Sequence, residues 1–255
     1  AMTILPWPAD GDPGLTGWTL EISPLPADAG APSGLRLTLR DGDGASRATA
    51  TLQPRAGLNT PRHWFHVGQA VHAAPDLGLF KVQRTLLLGS DLCGGAELHA
   101  LDVGGLAALE APVRRRALVW LSDTAALQVS REPEVWGPGL FCELPGLRSA
   151  EGGPEGDPDG PATLEHSPFW RGLPAHFFRG DPADAAARLG PGWRTHLAAL
   201  LPRQLIHASF LSDAAQAAVG VERPDARWVR EALEGSGWTW RQQVRIDDGG
   251  PVLQR

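Results

Sequence analysis

Eight histidines, two cysteines and one lysine carry much of the chemistry open to this chain. His63-Trp-Phe-His66 places two imidazoles three residues apart, with His72 and His99 further on. On a strand such positions face opposite ways, so a single ion cannot take both, and no metal site is expected. Cys93 and Cys142 lie far apart with no CxxC partner, which predicts two free structural thiols. Arg55 and Arg62 flank Gly57-Leu-Asn59, and a guanidinium there can grip a carboxylate with two donors, so Arg62 is a candidate substrate-binding residue. Arg114-Arg115-Arg116 stand in the first turn of a predicted helix, where the dipole favours an anion. They either meet a phosphate-bearing ligand or fan out as three solvated cations. Tyrosine is absent, so no tyrosine acid operates, and Lys81 is the sole amine for a Schiff base. The chain has no phosphate-loop lysine motif, no GxSxG elbow and no HExxH.

These residues need elements to hold them. Leu35–Arg40 and Arg47–Gln53 alternate apolar with polar around Asp41-Gly-Asp-Gly44, which reads as a hairpin. Residues 63–72 read as a strand, 79–88 as a strand or short helix, and 96–103 as a strand. From Pro112 the period turns helical through Val113, Ala117, Leu118, Leu121 and Ala125. Three further helices are predicted from their caps, opening at Asp181-Pro182, Ser212 and Pro224 and stopping at Gly190, Gly220 and near Gly235. A last strand covers Trp238–Ile246, closed by a turn at Asp248-Gly-Gly-Pro251. The expected class is α+β, with a mixed, mostly antiparallel sheet flanked by helices. The expected organisation is a Pro/Gly-rich segment over 1–34, a first half over 35–149, a mobile loop over 150–165 and a second half over 166–255.

The 255 residues can bury a substantial core, and the formal net charge of −6 supplies no basic field for nucleic acid or anionic membrane. No apolar run suits a bilayer. The expectation is a cytoplasmic protein without nucleic-acid or membrane partners.

Several segments together resemble the arginine N-succinyltransferase family, the enzymes that acylate arginine from an acyl-CoA. They are Gly57-Leu-Asn59, Val71-His-Ala73, Asp91 before a Gly pair, Glu97-Leu98, Ser167-Pro-Phe-Trp170, His176-Phe-Phe178, Ser209-Phe-Leu-Ser212 and Asp248-Gly-Gly-Pro251. The resemblance runs from about residue 35 to residue 253. It implies a GNAT-like acyltransferase fold whose central strand, here 96–103, splays from its neighbour to admit the pantetheine arm of CoA. It implies acyl-CoA, either succinyl-CoA or acetyl-CoA, as co-substrate without a metal, a small amine as acceptor, and a homo- or hetero-oligomer. By the same resemblance, Leu101 and His99 fall on the CoA-binding strand, with Arg114 and Arg115 as candidates for the CoA phosphates. His72 falls on a family histidine at the acceptor side.

Departures from the family pattern matter as much. The family's catalytic histidine falls on Arg223 of Glu222-Arg223-Pro224, and a guanidinium cannot shuttle protons near neutral pH. It can still stabilise an oxyanion or hold a carboxylate. Glu222 beside it is a candidate base, and His207 a candidate proton carrier with a suitable pKa. The Gly-rich phosphate loop is replaced by Gly104-Gly105 followed by Leu106–Ala111. Two readings therefore stand side by side: an N-acyltransferase, and a catalytically degenerate subunit of the same fold that supports an intact paralogue.

Overall fold

In a computed structural model, which describes residues 2–8, 13–26, 33–148 and 161–255, the chain folds around one eleven-stranded sheet. In chain order the strands are β1 (Thr3–Pro6), β2 (Thr19–Pro24), β3 (Leu35–Arg40), β4 (Ser46–Gln53), β5 (Trp64–Ala74), β6 (Leu79–Gly89), β7 (Ala96–Asp102), β8 (Leu140–Glu143), β9 (Ile206–His207), β10 (Thr239–Arg245) and β11 (Pro251–Gln254). Across the sheet they run β1-β2-β3-β4-β7-β8-β11-β10-β5-β6-β9. Every pairing is antiparallel except β7 with β8, which need a crossover because both run the same way. That crossover is α1 (Gly104–Ala107), α2 (Ala111–Arg131) and α3 (Pro133–Trp136). The other helices are α4 (Pro168–Gly172), α5 (Pro182–Leu189), α6 (Trp193–Leu200), α7 (Asp213–Ala218) and α8 (Arg227–Gly235).

Two cores hold this arrangement. In the first, Leu37, Leu39, Ala50, Leu52 and Leu98 of β3, β4 and β7 pack with Ala117, Leu118, Leu121 and Ala125 of α2 and with Val229 and Leu233 of α8. The helical spacing foreseen from Pro112 is the stripe that α2 buries. In the second, Phe65, Val67, Leu86, Leu88 and Val244 of β5, β6 and β10 pack with Phe169 and Trp170 of α4, Leu197 of α6 and Ala215 of α7. Caps stand where the sequence puts them. The Asp181 side chain accepts from the Ala183 N–H at 2.7 Å, and Ser212 Oγ accepts from the Ala215 N–H at 3.3 Å.

The described part of the 1–34 segment joins the fold, because β1 and β2 extend the sheet and Leu15 and Trp18 enter the first core. The predicted loop over 150–165 lies largely outside the described residues. Its end, Pro161–His166, is a 3-10 helix, because Leu164 joins the second core and Arg148 donates to Thr163 Oγ1.

Candidate active site

The parallel pair β7–β8 is joined only at Ala96↔Leu140 and Glu97↔Phe141. Beyond Glu97 the two strands separate, while β7 stays bonded to β4 on its other side. Between Thr51↔His99 and Thr49↔Asp102 the register slips, with the extra residue on β7, and Ala100 sits there at φ +49°. A β-bulge at this point bends β7 where it has left β8. The gap is the floor of a cavity of about 1080 Å³. Residues 97–102 of β7 with Val103 just after it, Glu143 to Pro145 at the end of β8, and Val229 of α8 line it, together with residues 53–60 and 192–195. The lining draws on both cores, Leu98 and Val229 from the first and Trp193 and Ile246 from the second.

An ion network secures the point where the strands part. Arg62 donates through Nη1 to Glu97 of β7 and through Nη2 to Glu143 of β8 at 2.6 Å, so one guanidinium bridges the two strands. Glu143 also accepts from Trp64 Nε1 at 2.7 Å and lies 3.7 Å from Arg194 and 4.0 Å from Arg245. Arg194 continues to Asp247 at 2.8 Å, Arg245 binds Asp247 at 3.0 Å and Asp248 at 3.1 Å, and Arg148 reaches Asp248 at 3.1 Å. Burial by itself would raise the Glu143 carboxyl, but the charges of Arg62, Arg194 and Arg245 prevail and hold it below the ordinary range. Burial likewise opposes ionisation of Asp247, and Arg194 and Arg245 overcome it. The Arg62 guanidinium is stabilised by Glu143 and Glu97 against its own burial. The turn foreseen at Asp248-Gly-Gly-Pro251 thus does more than reverse the chain, since Asp248, with Asp247 just before it, joins this network.

The structure gathers some of the sequence-derived site residues and scatters others. Leu101 and His99 of β7, Arg62 and Arg223 all line the cavity. Arg223 is clasped by Asp225, with Nε at 2.5 Å and Nη2 at 2.7 Å. Arg62 has two of its nitrogens committed to its own carboxylates, which removes the fork proposed for a substrate carboxylate. Glu222 is buried against Arg230 at 2.7 Å and is not among the lining residues. Arg114 stacks on Trp228 at 5.0 Å and Arg115 pairs with Glu231 at 3.5 Å, both away from the lining. His72 of β5 and His207 of β9 come together, their rings 5.5 Å apart, but neither is among the residues that line the cavity.

One cavity residue escaped the sequence reading as a proton carrier. His63 lines the cavity with a buried Nδ1 that has no hydrogen-bond partner. Burial, and secondarily the charge of Arg203, lower its pKa from 6.5, so the ring is neutral near neutral pH. The HxxH spacing drew attention to metal geometry, and nothing local signals that His63 faces a cleft built mainly by β7 and β8.

The fold is shared with a solved structure titled arginine/ornithine succinyltransferase subunit AI from Pseudomonas aeruginosa, at TM-score 0.60 and 21% identity over 90% of this chain and 61% of that one. The family description "Arginine N-succinyltransferase beta subunit" matches residues 33–255, and the chain belongs to that family. Curated relatives named arginine N-succinyltransferase include one from Citrobacter koseri, 28% identical over 223 residues, and one from Salmonella arizonae, 29% identical over 204 residues. These alignments cover 87% and 80% of this chain but 59% and 54% of the relatives, so the chain spans less than two thirds of their length.

Proposed function

We propose that the chain is a GNAT-like N-acyltransferase that binds an acyl-CoA, succinyl-CoA or acetyl-CoA, in the split between β7 and β8 and acylates the amine of an amino acid or similar small acceptor in the cytoplasm. The observation that carries this reading is the split itself. Past Glu97, no strand among the described residues pairs with the β8-facing edge of β7, which leaves N–H and C=O groups there to pair with the amides of a pantetheine arm. Leu98, Leu101, Val103 and Val229 give that slot its apolar walls.

The roles follow from the geometry. An acyl-CoA supplies a thioester carbonyl activated for attack by an amine, with a thiolate as leaving group. His63, neutral at working pH, takes the proton from the acceptor's ammonium. Backbone N–H groups of β7 beside the bulge hold the carbonyl oxygen as charge develops on it. Arg223, kept in place by Asp225, supplies positive charge at the cavity wall in the position where the family has its proton donor. His99 is the lining imidazole available to protonate the thiolate. Relatives named as subunits support an oligomeric assembly.

A degenerate binding subunit remains as a second reading, favoured by one observation: Arg223 and Asp225 neutralise each other where the family has a proton donor. Calorimetry and thermal shift with CoA, succinyl-CoA and acetyl-CoA, followed by thiol release with arginine and ornithine, separate the two. The expected result is binding with turnover, and Leu101→Trp weakens CoA affinity at least about 10-fold by filling the slot. Binding without turnover on any amine supports the subunit reading. No shift at millimolar CoA refutes the acyltransferase reading.

A further inference from the structure

The ion network at the strand fork meets the cavity unevenly. Its carboxylates lie at the back, the side chain of Glu97 being 6% exposed, that of Glu143 12% and that of Asp247 1%. Its guanidiniums lie in front, Arg62 at 25% and Arg194 at 35%. All five residues line the cavity, so the surface that the network offers a substrate is positive. Arg62 is held by both of its carboxylates, but Arg194 is held from one side. Its Nε donates to Asp247 at 2.8 Å, which anchors the guanidinium, and its cationic carbon stacks on the Trp193 ring at 5.8 Å. Nη1 stands 3.7 Å from Glu143, beyond hydrogen-bond range, and neither Nη1 nor Nη2 donates to any group among the described residues. Two such donors on an anchored, partly exposed guanidinium form the fork that takes a carboxylate. A second cation fares differently in this cavity. Glu97, Glu143 and Asp247 are answered by Arg62, Arg194 and Arg245, and Asp225 has both oxygens on Arg223. The remaining lining carboxylate, Asp102, accepts from the Gly104 N–H at 2.9 Å and stands at the far end of β7. The usual rise of a strand puts it roughly 15 Å from Glu97 and the fork.

Resting on the acyltransferase reading, we infer that Arg194 holds the carboxylate of the acceptor, and that the acceptor this chain prefers is an α-amino acid with a neutral or acidic side chain rather than a guanidinium or ammonium one. An α-amino acid carries its amine and its carboxylate on one carbon, so the grip on one places the other. Thr195 Oγ1 donates to the Pro61 carbonyl at 2.8 Å, which ties the stretch bearing Arg194 to the loop that leads into His63, the base assigned to the amine. A side-chain cation would enter a positive surface whose carboxylates are already taken, and like charges brought together in a partly desolvated site cost affinity. A neutral side chain avoids that cost. An acidic one has a further guanidinium in the same cavity, Arg55, which among the described residues donates from its side chain only to the Glu134 carbonyl, at 2.6 Å.

Calorimetric titration of the full chain, with and without CoA, tests this apart from turnover. The probes are L-leucine, L-glutamine and L-glutamate, then L-arginine and L-ornithine, and L-leucinamide, in which an amide replaces the carboxylate. The tightest of the first three binds at least about 10-fold more strongly than arginine or ornithine, and leucinamide binds at least about 10-fold more weakly than leucine. Arg194→Gln weakens leucine by the same factor and leaves leucinamide unchanged, while Arg194→Lys, which keeps the charge and loses the fork, falls between. Circular dichroism melting checks that the variants stay folded. Should Arg194→Gln unfold, the ratio of leucine to leucinamide affinity in Arg194→Lys decides instead. Thiol release with succinyl-CoA and acetyl-CoA then locates the carboxylate: in Arg194→Gln the KM for leucine rises with either donor, and kcat stays within about 3-fold. Binding of leucine without thiol release counts for the grip of Arg194 and against the acyltransferase reading. A loss confined to succinyl-CoA puts the carboxylate on the acyl group and overturns the inference. So do arginine or ornithine binding as tightly as every neutral and acidic probe, an Arg194→Gln protein that weakens leucine and leucinamide alike, and the absence of binding by any amino acid at millimolar concentration.

Discussion

Replacing Glu143 by glutamine keeps the shape of the side chain and removes its charge. In the native chain one carboxylate serves Arg62 at 2.6 Å and Trp64 at 2.7 Å and faces Arg194 and Arg245 at 3.7 and 4.0 Å. The amide retains an acceptor for Trp64 or Arg62, but its NH2 then points at guanidinium donors. The four arginines Arg62, Arg148, Arg194 and Arg245 are matched by the four carboxylates Glu97, Glu143, Asp247 and Asp248, so the variant leaves one uncompensated positive charge. Breaking a buried pair from one side costs about 3–5 kcal/mol. For a chain of this size about 3 kcal/mol lowers Tm by roughly 6–12 °C. Thermal and urea unfolding followed by circular dichroism measure it, with Glu231→Gln as control. That residue's exposed partner Arg115 lies 3.5 Å away, and such a pair is worth under about 1 kcal/mol. The pH profile gives a second reading. The folded pKa of Glu143 lies below its ordinary 4.5, so its contribution is complete above pH 4.5 and is lost as pH falls through the folded value. Glu143→Gln therefore flattens the acid limb of stability. A Glu143→Gln protein within about 1 kcal/mol of wild type, with an unchanged acid limb, refutes the view that Glu143 is the hub joining β7 and β8.

Gly137 follows α3 at φ +93° and ψ −177°, and a Cβ there would overlap the Gly94 carbonyl oxygen. Gly137→Ala is expected to cost at least about 2 kcal/mol by urea unfolding, against about 1 kcal/mol for Gly44→Ala, whose Cβ meets open space. For His63, a base neutral below its ordinary 6.5 places the acid limb of kcat/KM below pH 6.5, and His63→Gln removes that limb and lowers kcat about 100-fold or more. Because the folded pKa of His63 is depressed, the unfolded chain protonates first, so stability declines as pH falls below 6.5, and equilibrium unfolding of His63→Gln shows less of that decline.

Local patterns account for most of the elements. Alternation in 35–40 and 47–53, the apolar stripe from Val113 to Ala125, and the caps at Asp181 and Ser212 depend on neighbours a few residues away, so they are legible in order along the chain. α6 escaped because its opening, Gly-Pro-Gly-Trp193, imitates a loop, and its buried face is set by distant residues such as Trp170, whose ring meets that of Trp193. The outer half of β6 reads as buried because Leu79, Phe80 and Val82 are apolar, yet an apolar side chain is buried only where something packs over it.

By itself, then, the sequence determined the mixed α+β class of fold and the strand that carries Leu101 and His99. These rest on residue type and short-range period, which the chain carries without knowing its partners. Only the tertiary structure decided which charged residues meet. Arg62, Glu97, Glu143, Arg194 and the pair Arg245 and Asp247 come from five separate stretches of chain, and each looks like an ordinary surface charge until the sheet order brings them to one point. The same ordering left His72 and His207 away from the cleft and turned His63 into it. Electrostatic partnership falls off with distance in space rather than in sequence, so the division of labour among these residues exists only once the strands have paired.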